Sequence, residues 1–167
     1  MTDERDELAR ARAVAEAWRR ELPEVPTAPL PAVWLVKAVA SRLRRTRERT
    51  LHTLGLDAAT LDLLSTLRRA GEPWTLTTRE LAGRCLVTAG AISQRVARAE
   101  QQGLVQRSPG AGRSVEVSLT PEGHALVERS AAQVLGADAA ATRGLAPDEL
   151  ADLERLLARW LSTLGEP

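Results

Sequence analysis

One segment of the sequence, Thr77–Thr120, constrains the fold more than any other, because its apolar spacing changes there from helical to alternating. A threonine at its start can cap a first helix over residues 79–85, and a second helix is predicted over 89–102, where Gly103 ends it. A Pro-Gly turn follows at 108–112, and the apolar residues after it alternate with polar ones, as in a half-buried strand. The predicted order is helix, turn, helix, strand, turn, strand.

This order is that of a winged helix-turn-helix, in which the second helix fits the major groove of duplex DNA. At about 100° per residue the apolar side chains of that helix fall on one side and a polar face lies opposite. On the polar face, Gln94 suits the edge of adenine, and Arg98 suits guanine or a phosphate. Small residues let the helix start approach closely, a capping threonine can offer its hydroxyl to a phosphate, and an arginine occupies the wing turn. The predicted DNA-binding residues are Thr88, Gly90, Ala91, Gln94, Arg98 and Arg113.

Charge and aromatic content limit the class of partner. The formal net charge is only +1, but Lys37–Thr50 holds six basic residues against one acid, whereas Ala137–Pro167 holds six acids against three arginines. The chain has no Phe or Tyr, so few side chains can stack on unpaired bases. Duplex DNA is therefore favoured over single-stranded nucleic acid.

The potential metal ligands and nucleophiles are few. Cys85 is the only cysteine and is predicted to be a small core residue, and His52 and His124 are interpreted as structural. This set supplies neither a zinc site nor a Cys/His nucleophilic pair, so we predict no cofactor, no metal and no enzymatic activity. Without a targeting or transmembrane segment, the predicted location is the cytoplasm, with no membrane partner.

Helices are also predicted on both sides of the winged segment. The proline-rich sequence LPEVPTAPLP is expected to form an extended connector after an N-terminal helix. Near the other end, apolar residues recur at 3-4 spacing from Leu150 to Leu164, which is typical of a face that packs against another subunit. The predicted fold is a single domain over 1–167, mainly α with a small β-hairpin wing. Its parts are an extra N-terminal helix (1–22), dimerisation helices (32–54 and 121–164) and a winged helix-turn-helix lobe (57–120).

The pattern TxxELAxxxxVTxGAISxRVxRxExxGLVxR, followed by GRSVEVSLTPEG, resembles the MarR family of dimeric transcription regulators. This resemblance implies a homodimer that binds palindromic duplex DNA and is expected to act as a repressor. There is one departure. The family usually has an acid two residues before the wing arginine, and here Ala111 precedes Arg113. The orientation of that arginine is therefore expected to be less constrained.

Several further segments resemble the urate-responsive branch of this family: an N-terminal tryptophan helix before a proline-broken segment, LDLLSTLRRAG, VTAGAISQR and GLVQR. The resemblance implies a site for urate or a related purine formed by Trp18, Asp62, Arg95 and Arg107. The chemistry is consistent, because a tryptophan covers a flat ring, arginines meet an anion and a carboxylate accepts N–H groups. If Asp62 and Arg95 pair in the free protein, a bound anion would compete for Arg95 and pull on the DNA-contacting helix.

Other functions also fit these residues. Each member of the four-residue set has an ordinary structural explanation when taken alone. One alternative is a regulator that responds to a different small anion, such as a phenolic acid, and another is a protein that binds DNA constitutively without a ligand. A third alternative is a protein-interaction module that has lost DNA binding, which the missing acid at Ala111 slightly favours.

Overall fold

The protein is represented by a computed structural model that describes residues 3–164, with side chains from residue 6 onward. The chain divides into two compact units, one ending at Glu48 and the other beginning at Arg49. The elements are α1 (Asp3–Glu21), α2 (Leu30–Thr53), α3 (Ala58–Arg69), β1 (Thr75–Thr77), α4 (Thr78–Arg84), α5 (Ala89–Gln101), β2 (Val105–Pro109), β3 (Val115–Leu119), α6 (Pro121–Ala141) and α7 (Pro147–Thr163). The predicted fold class, mainly helical with a small antiparallel sheet, is confirmed.

The sheet of the second unit has three strands in the order β1-β3-β2, all antiparallel. The sequence predicted β2 and β3 but missed β1, because a strand of three residues is too short to show an alternating pattern. Leu76 of β1 lies opposite Val117 and brings a third buried side chain beside Val117 and Leu119. Val115, the first of the apolar residues that alternate along β3, is 39% exposed because it lies at the wing end of the strand.

The predicted helix boundaries follow from caps that the structure contains. Thr77 and Glu80 form a reciprocal capping box at α4, in which the Thr77 hydroxyl accepts from Glu80 N (3.2 Å) and the Glu80 carboxylate accepts from Thr77 N (2.8 Å). Asp57 caps α3, and Gly103 follows α5 with a φ of +71°, which glycine adopts without a steric penalty. The predicted threonine cap of α4 and the predicted glycine stop of α5 are confirmed.

A buried cluster packs the inner face of α5 against its neighbours. Within α5, Ile92, Val96 and Ala99 are each 1% exposed, as the helical projection predicted. They belong to one cluster with buried side chains of α3, α4, the sheet and α6, among them Leu63, Leu64, Leu67, Leu81, Val117 and Val127. Apolar burial on this side fixes the rotation of α5 and leaves its opposite face in solvent.

The start of α6 is joined to the end of α5 through backbone groups. Thr120 N donates to the carbonyl of Leu104 (3.1 Å), and the Thr120 hydroxyl donates to the carbonyl of Gly103 (2.7 Å). One turn later, Gly123 lies so close that a Cβ at this position would overlap the carbonyl oxygen of Leu104. The absence of a side chain at Gly123 therefore permits this close approach.

In the first unit, the proline-rich connector contains turns instead of the predicted extended chain. Val25 N donates to the carbonyl of Leu22 and Leu30 N to that of Thr27, each at 3.1 Å. The extended prediction was wrong because these non-proline residues still have N–H groups that can close turns. The helix α2 then begins at Leu30 and takes Pro31 into its first turn, where a missing N–H is harmless.

Two helices have apolar stripes that remain exposed. In α7 no residue is buried, and Leu153 and Leu157 are 40% and 41% exposed. Leu164, which follows the helix, is 57% exposed. In α2, Val39 and Leu43 are 54% and 42% exposed. None of the helices that the structure describes is long and apolar enough to cross a membrane.

Candidate nucleic-acid interface and ligand site

The outer face of α5 has the composition that the sequence predicted. Gly90, Gln94 and Arg98 are exposed, and Ala91 is partly exposed beside them. Thr88 is the N-cap, and its hydroxyl accepts a hydrogen bond from Ala91 N at 3.2 Å. The face therefore offers one amide, one guanidinium and a helix N-terminus, which together suit base edges and phosphates.

The wing turn is held by hydrogen bonds that do not involve an acidic side chain. Gly110 N donates to the carbonyl of Ser114 (3.0 Å), and the Ser114 hydroxyl donates to the carbonyl of Ala111 (2.8 Å). Gly112 takes a φ of +69° at the tip, next to the exposed Arg113. Ala111 thus contributes its backbone carbonyl to a turn that presents the wing arginine.

Arg98 has a partner that the sequence did not predict. Its Nη1 lies 3.5 Å from Oδ2 of Asp57, the residue that caps α3. The pKa of Asp57 is lowered, first by the hydrogen bond from Thr60 N, so this carboxylate is charged at neutral pH. A cleft of about 320 Å³ between α3 and α5 is lined by Asp57, Ala59, Thr60, Ala91, Gln94, Arg95 and Arg98.

Asp62 and Arg95 form an ion pair, with Arg95 Nη1 at 3.2 Å from Asp62 Oδ2. Their side chains are 41% and 27% exposed, so both remain within reach of a small molecule. The pair connects α3 to the flank of α5, one helical turn from Arg98. Among the predicted ligand residues, these are the two that the structure brings into contact.

Cys85 lies near enough to this pair to feel the charges of both side chains, a proximity that the sequence did not predict. Its thiol is 3.6 Å from the hydroxyl of Thr66, and the side chain packs against the edge of the core. Burial raises the pKa of the Cys85 thiol, and the negative charge of Asp62 raises it further, so the thiol stays protonated at neutral pH. No local pattern signals this proximity, because Cys85 ends α4 and Asp62 lies on α3.

The other two predicted ligand residues have different surroundings. Arg107 Nε lies 3.2 Å from Oε2 of Glu100, a partner that the sequence also did not predict. The Gly103 turn between α5 and β2 is the sequence signal from which this pair could have been inferred. Trp18 belongs to the first unit and is 49% exposed. The joint role of these four residues stays a prediction.

Across residues 3–164, no three His, Cys, Asp or Glu side chains are grouped so that they could hold a metal ion. His124 instead makes an edge contact with Trp74, with the ring centroids 4.6 Å apart. Arg68 lies over the same tryptophan ring at 5.4 Å and pairs with Glu128 at 3.1 Å. The edge contact with Trp74 supports the structural interpretation of His124.

Two capped helices joined by a short turn, the second with a buried and a polar face, and a wing on a three-stranded sheet define a winged helix-turn-helix DNA-binding protein. The sequence model of the MarR family matches residues 54–114. The chain belongs to the MarR family of transcription regulators.

Characterised relatives and solved structures of the same family are similar to this chain in sequence and fold. The chain is 30% identical to the HTH-type transcriptional regulator PecS of Dickeya dadantii over 118 residues, or 70% of this chain and 71% of PecS. It is 32% identical to the HTH-type transcriptional repressor Mb2911 of Mycobacterium bovis over 131 residues, covering 77% and 92% of the two chains. A cysteine-to-serine mutant of MarR from E. coli, solved with operator DNA, is 28% identical, with a TM-score of 0.64 and coverage of 86% and 97%. The protein is therefore a DNA-binding transcription regulator and not an enzyme.

Proposed function

We propose that this regulator is a homodimeric repressor that binds palindromic duplex DNA and releases it when urate or a related purine binds. The observation that carries the proposal is the 3.2 Å pair between Asp62 and Arg95. This pair ties α3 to the flank of the same helix whose outer face bears Gln94 and Arg98. A ligand that takes Arg95 from Asp62 therefore acts directly on the DNA-contacting helix.

The proposed DNA contacts follow from exposure and chemistry. Gln94 and Arg98 are exposed on α5, and Arg113 is exposed on the wing. The N-terminus of α5 carries Thr88 and the small residues Gly90 and Ala91, so a phosphate can approach its free N–H groups closely. Together these groups would read a major groove from α5 and contact the adjacent backbone from the wing.

The proposed switch depends on different contacts in the free and bound states. In the free protein Arg95 is paired with Asp62 and Arg107 with Glu100, and each guanidinium is partly exposed, at 27% and 37%. A purine anion would exchange these pairs for contacts of its own, and Asp62 would accept a ring N–H. From the family resemblance, Trp18 is proposed to cover the flat face of the ligand.

The dimer is proposed from the exposed apolar stripe on α7. Apolar residues recur at 3-4 spacing along this helix, which contains no buried residue, and end at its C-cap: Leu150, Leu153, Leu157, Trp160 and Leu164. A second copy of the chain can cover such a stripe with the same stripe, because a two-fold interface is self-complementary. Two-fold symmetry also places two α5 helices about one DNA turn apart.

The cleft between α3 and α5 favours a second candidate ligand class. It is about 320 Å³ and is lined by Arg95, Arg98 and Thr60, with the Asp57 carboxylate beside Arg98. A small carboxylate such as a phenolic acid would enter it by replacing Asp57 at Arg98. In that case the anion would meet the two arginines of α5 without using Trp18 or Arg107. The two ligand classes therefore differ in the residues on which they depend.

The function is tested by selecting an operator from random duplexes and then titrating urate, xanthine and phenolic acids into the preformed complex. We expect urate or xanthine to release the DNA, with phenolic acids acting only at higher concentration. Release by phenolic acids alone would favour the second ligand class. Equal DNA occupancy with and without every ligand would show a constitutive DNA-binding protein.

Arg113→Ala is expected to weaken operator binding and to flatten its dependence on salt. Each neutralised phosphate contributes about 0.9 to the slope of log K against log salt, so losing two wing arginines from a dimer should reduce the slope by about 1.8. Fluorescence anisotropy at several salt concentrations measures this slope. Arg143→Ala, in the exposed connection between α6 and α7, is the matched control. A wild-type slope for Arg113→Ala would remove the wing from the DNA interface.

Deletion of residues 1–24 is expected to leave a folded dimer that binds the operator but no longer responds to urate. The stripe on α7, the helix α5 and the wing all lie outside the deletion, whereas Trp18 lies inside it. Sedimentation velocity and operator binding with and without urate check the three properties. Trp18→Ala in the full chain separates the side chain from the helix and should reproduce the loss of response. A monomeric deletion variant would instead assign the N-terminal segment to the dimer interface.

A further inference from the structure

We propose that Asp57 is a specificity-determining residue, because it positions the guanidinium of Arg98 for contact with DNA bases. The proposal rests on the proposed function in one respect, namely that Arg98 contacts DNA. It assigns to the cap of α3 a second role, in addition to starting the helix.

Two hydrogen bonds from the first turn of α3 fix the orientation of the Asp57 carboxylate. One oxygen accepts from Thr60 N at 2.8 Å, and the other accepts from the Thr60 hydroxyl at 2.9 Å. This second oxygen, Oδ2, is also the atom that lies 3.5 Å from Nη1 of Arg98. Because the cap fixes the carboxylate, it gives the guanidinium a defined partner rather than a freely rotating one.

Arg98 depends on such a partner because its side chain is otherwise free to move. It is 67% exposed on the outer face of α5, where a long side chain has many rotamers in solution. A base contact by arginine is bidentate and requires one orientation of the planar guanidinium. Holding that orientation before binding lowers the ordering cost of the contact.

The pair of Asp57 with Arg98 is separate from the pair of Asp62 with Arg95. Both connect α3 to α5, and the two arginines are one helical turn apart. Arg95 is the less exposed of the two and lies on the flank of α5, whereas Arg98 lies on its outer face. The pair formed by Asp57 therefore bears on how DNA is read, and the pair formed by Asp62 bears on the proposed ligand response.

The negative charge of Asp57 has two effects that an experiment can separate. Repulsion between the carboxylate and phosphates acts on every duplex, so it changes operator and random DNA affinity alike. Orientation of Arg98 helps only where the guanidinium meets the correct base edge, so it changes operator affinity alone. The ratio of operator affinity to random-duplex affinity isolates the orientation effect.

Asp57→Asn is the decisive variant, since the amide oxygen still caps α3 while the charge beside Arg98 is lost. We expect the affinity ratio to fall about two- to five-fold for each copy of Asp57, the size set by an exposed ion pair. Anisotropy with operator and random duplexes of equal length, in the same buffer, measures the ratio. Asp152→Asn makes the same change of charge at an exposed pair with Arg155 on α7, and should leave the ratio unchanged.

Two further measurements distinguish an effect of Asp57 on the orientation of Arg98 from an effect on the stability of the fold: the same substitution made in Arg98→Ala protein, and the melting temperature. In Arg98→Ala protein, Asp57→Asn should no longer alter the ratio, because the residue that it positions is absent. Asp57→Ala should lower the melting temperature through loss of the cap, whereas Asp57→Asn should largely retain it. A lower operator affinity for Arg98→Ala, together with an unchanged ratio for Asp57→Asn, would overturn this inference alone. An unaltered operator affinity for Arg98→Ala would overturn the proposed DNA contact itself.

Discussion

Arg95→Ala and Asp62→Ala are each expected to raise the urate concentration that half-releases the operator by about one to two orders of magnitude. The reason is the loss of a charge-assisted contact, which is worth roughly 1.5–3 kcal/mol. Arg95→Ala removes the cation that meets the purine anion, and Asp62→Ala removes the acceptor for a ring N–H. Urate titrated into each preformed mutant–operator complex gives the half-release concentration.

Arg68→Ala is a control on α3, the helix that also carries Asp62. Arg68 lies on α3 and pairs with Glu128 at 3.1 Å, outside the proposed ligand set. Arg68→Ala should therefore release DNA at the wild-type urate concentration. Trp18→Phe should cost less than loss of either charged residue, because much of the stacking surface survives. Unchanged half-release concentrations of urate for both Asp62→Ala and Arg95→Ala would contradict the proposed ligand site.

Measuring operator affinity in the absence of ligand shows whether a substitution acts on ligand-induced release or on DNA binding itself. Arg95 lies on the flank of α5, so its removal should affect ligand release more than ligand-free operator binding. Asp62→Ala frees Arg95 and is expected to change ligand-free affinity to the extent that the pair sets the position of α5. A loss of operator binding as large as the loss of urate response would place Arg95 in the DNA interface instead.

Gly123→Ala is expected to destabilise the protein by about 3 kcal/mol, at the upper end of the usual cost of overpacking. The added Cβ would overlap the backbone carbonyl oxygen of Leu104 and would also come within 3.0 Å of the carbonyl carbon. Backbone atoms cannot rotate away as a side chain does, so the start of α6 must move from the end of α5. That movement would also lengthen or break the hydrogen bonds from Thr120 to the carbonyls of Gly103 and Leu104.

Gly136 provides a matched control on the same helix. A Cβ there would meet no heavy atom within 4 Å, and the residue is exposed in α6. Gly136→Ala should therefore stabilise the helix by about 0.5–1 kcal/mol, because alanine loses less backbone entropy on folding. Urea denaturation of both variants at one protein concentration measures the difference. Equal stabilities for the two alanine variants would show that α6 can shift at Gly123 without cost.

The sequence predicted those features of the fold that neighbouring residues control. Thr77 with Glu80, Thr88 and Asp57 set helix starts through bonds to N–H groups within one turn, and Gly103 ends α5 through its own backbone freedom. The two faces of α5 follow from the helical period alone. The same local rules misjudged the proline-rich connector, because they consider the missing N–H groups of prolines and not the turns that the residues between them can close.

The candidate site was predictable in its residue types and only partly in its contacts. The resemblance supplied Asp62 and Arg95 as ligand residues, their opposite charges suggested that they pair in the free protein, and in the structure they lie 3.2 Å apart. It gave no indication of Glu100 beside Arg107 or of Cys85 beside Asp62. Cys85 and Asp62 belong to different helices, so no local pattern encodes their proximity, and only the Gly103 turn indicates that Arg107 returns toward Glu100.

The sequence by itself determined where the helices of the winged segment begin and end and which face of α5 is polar, because bonds and packing within a few residues decide these features. Only the tertiary structure decided that β1 joins the sheet and that Asp57 meets Arg98. It also decided that Gly123 must lack a side chain beside Leu104. Residues 41 positions apart, such as Asp57 and Arg98, come together only once the shared core has fixed α3 against α5.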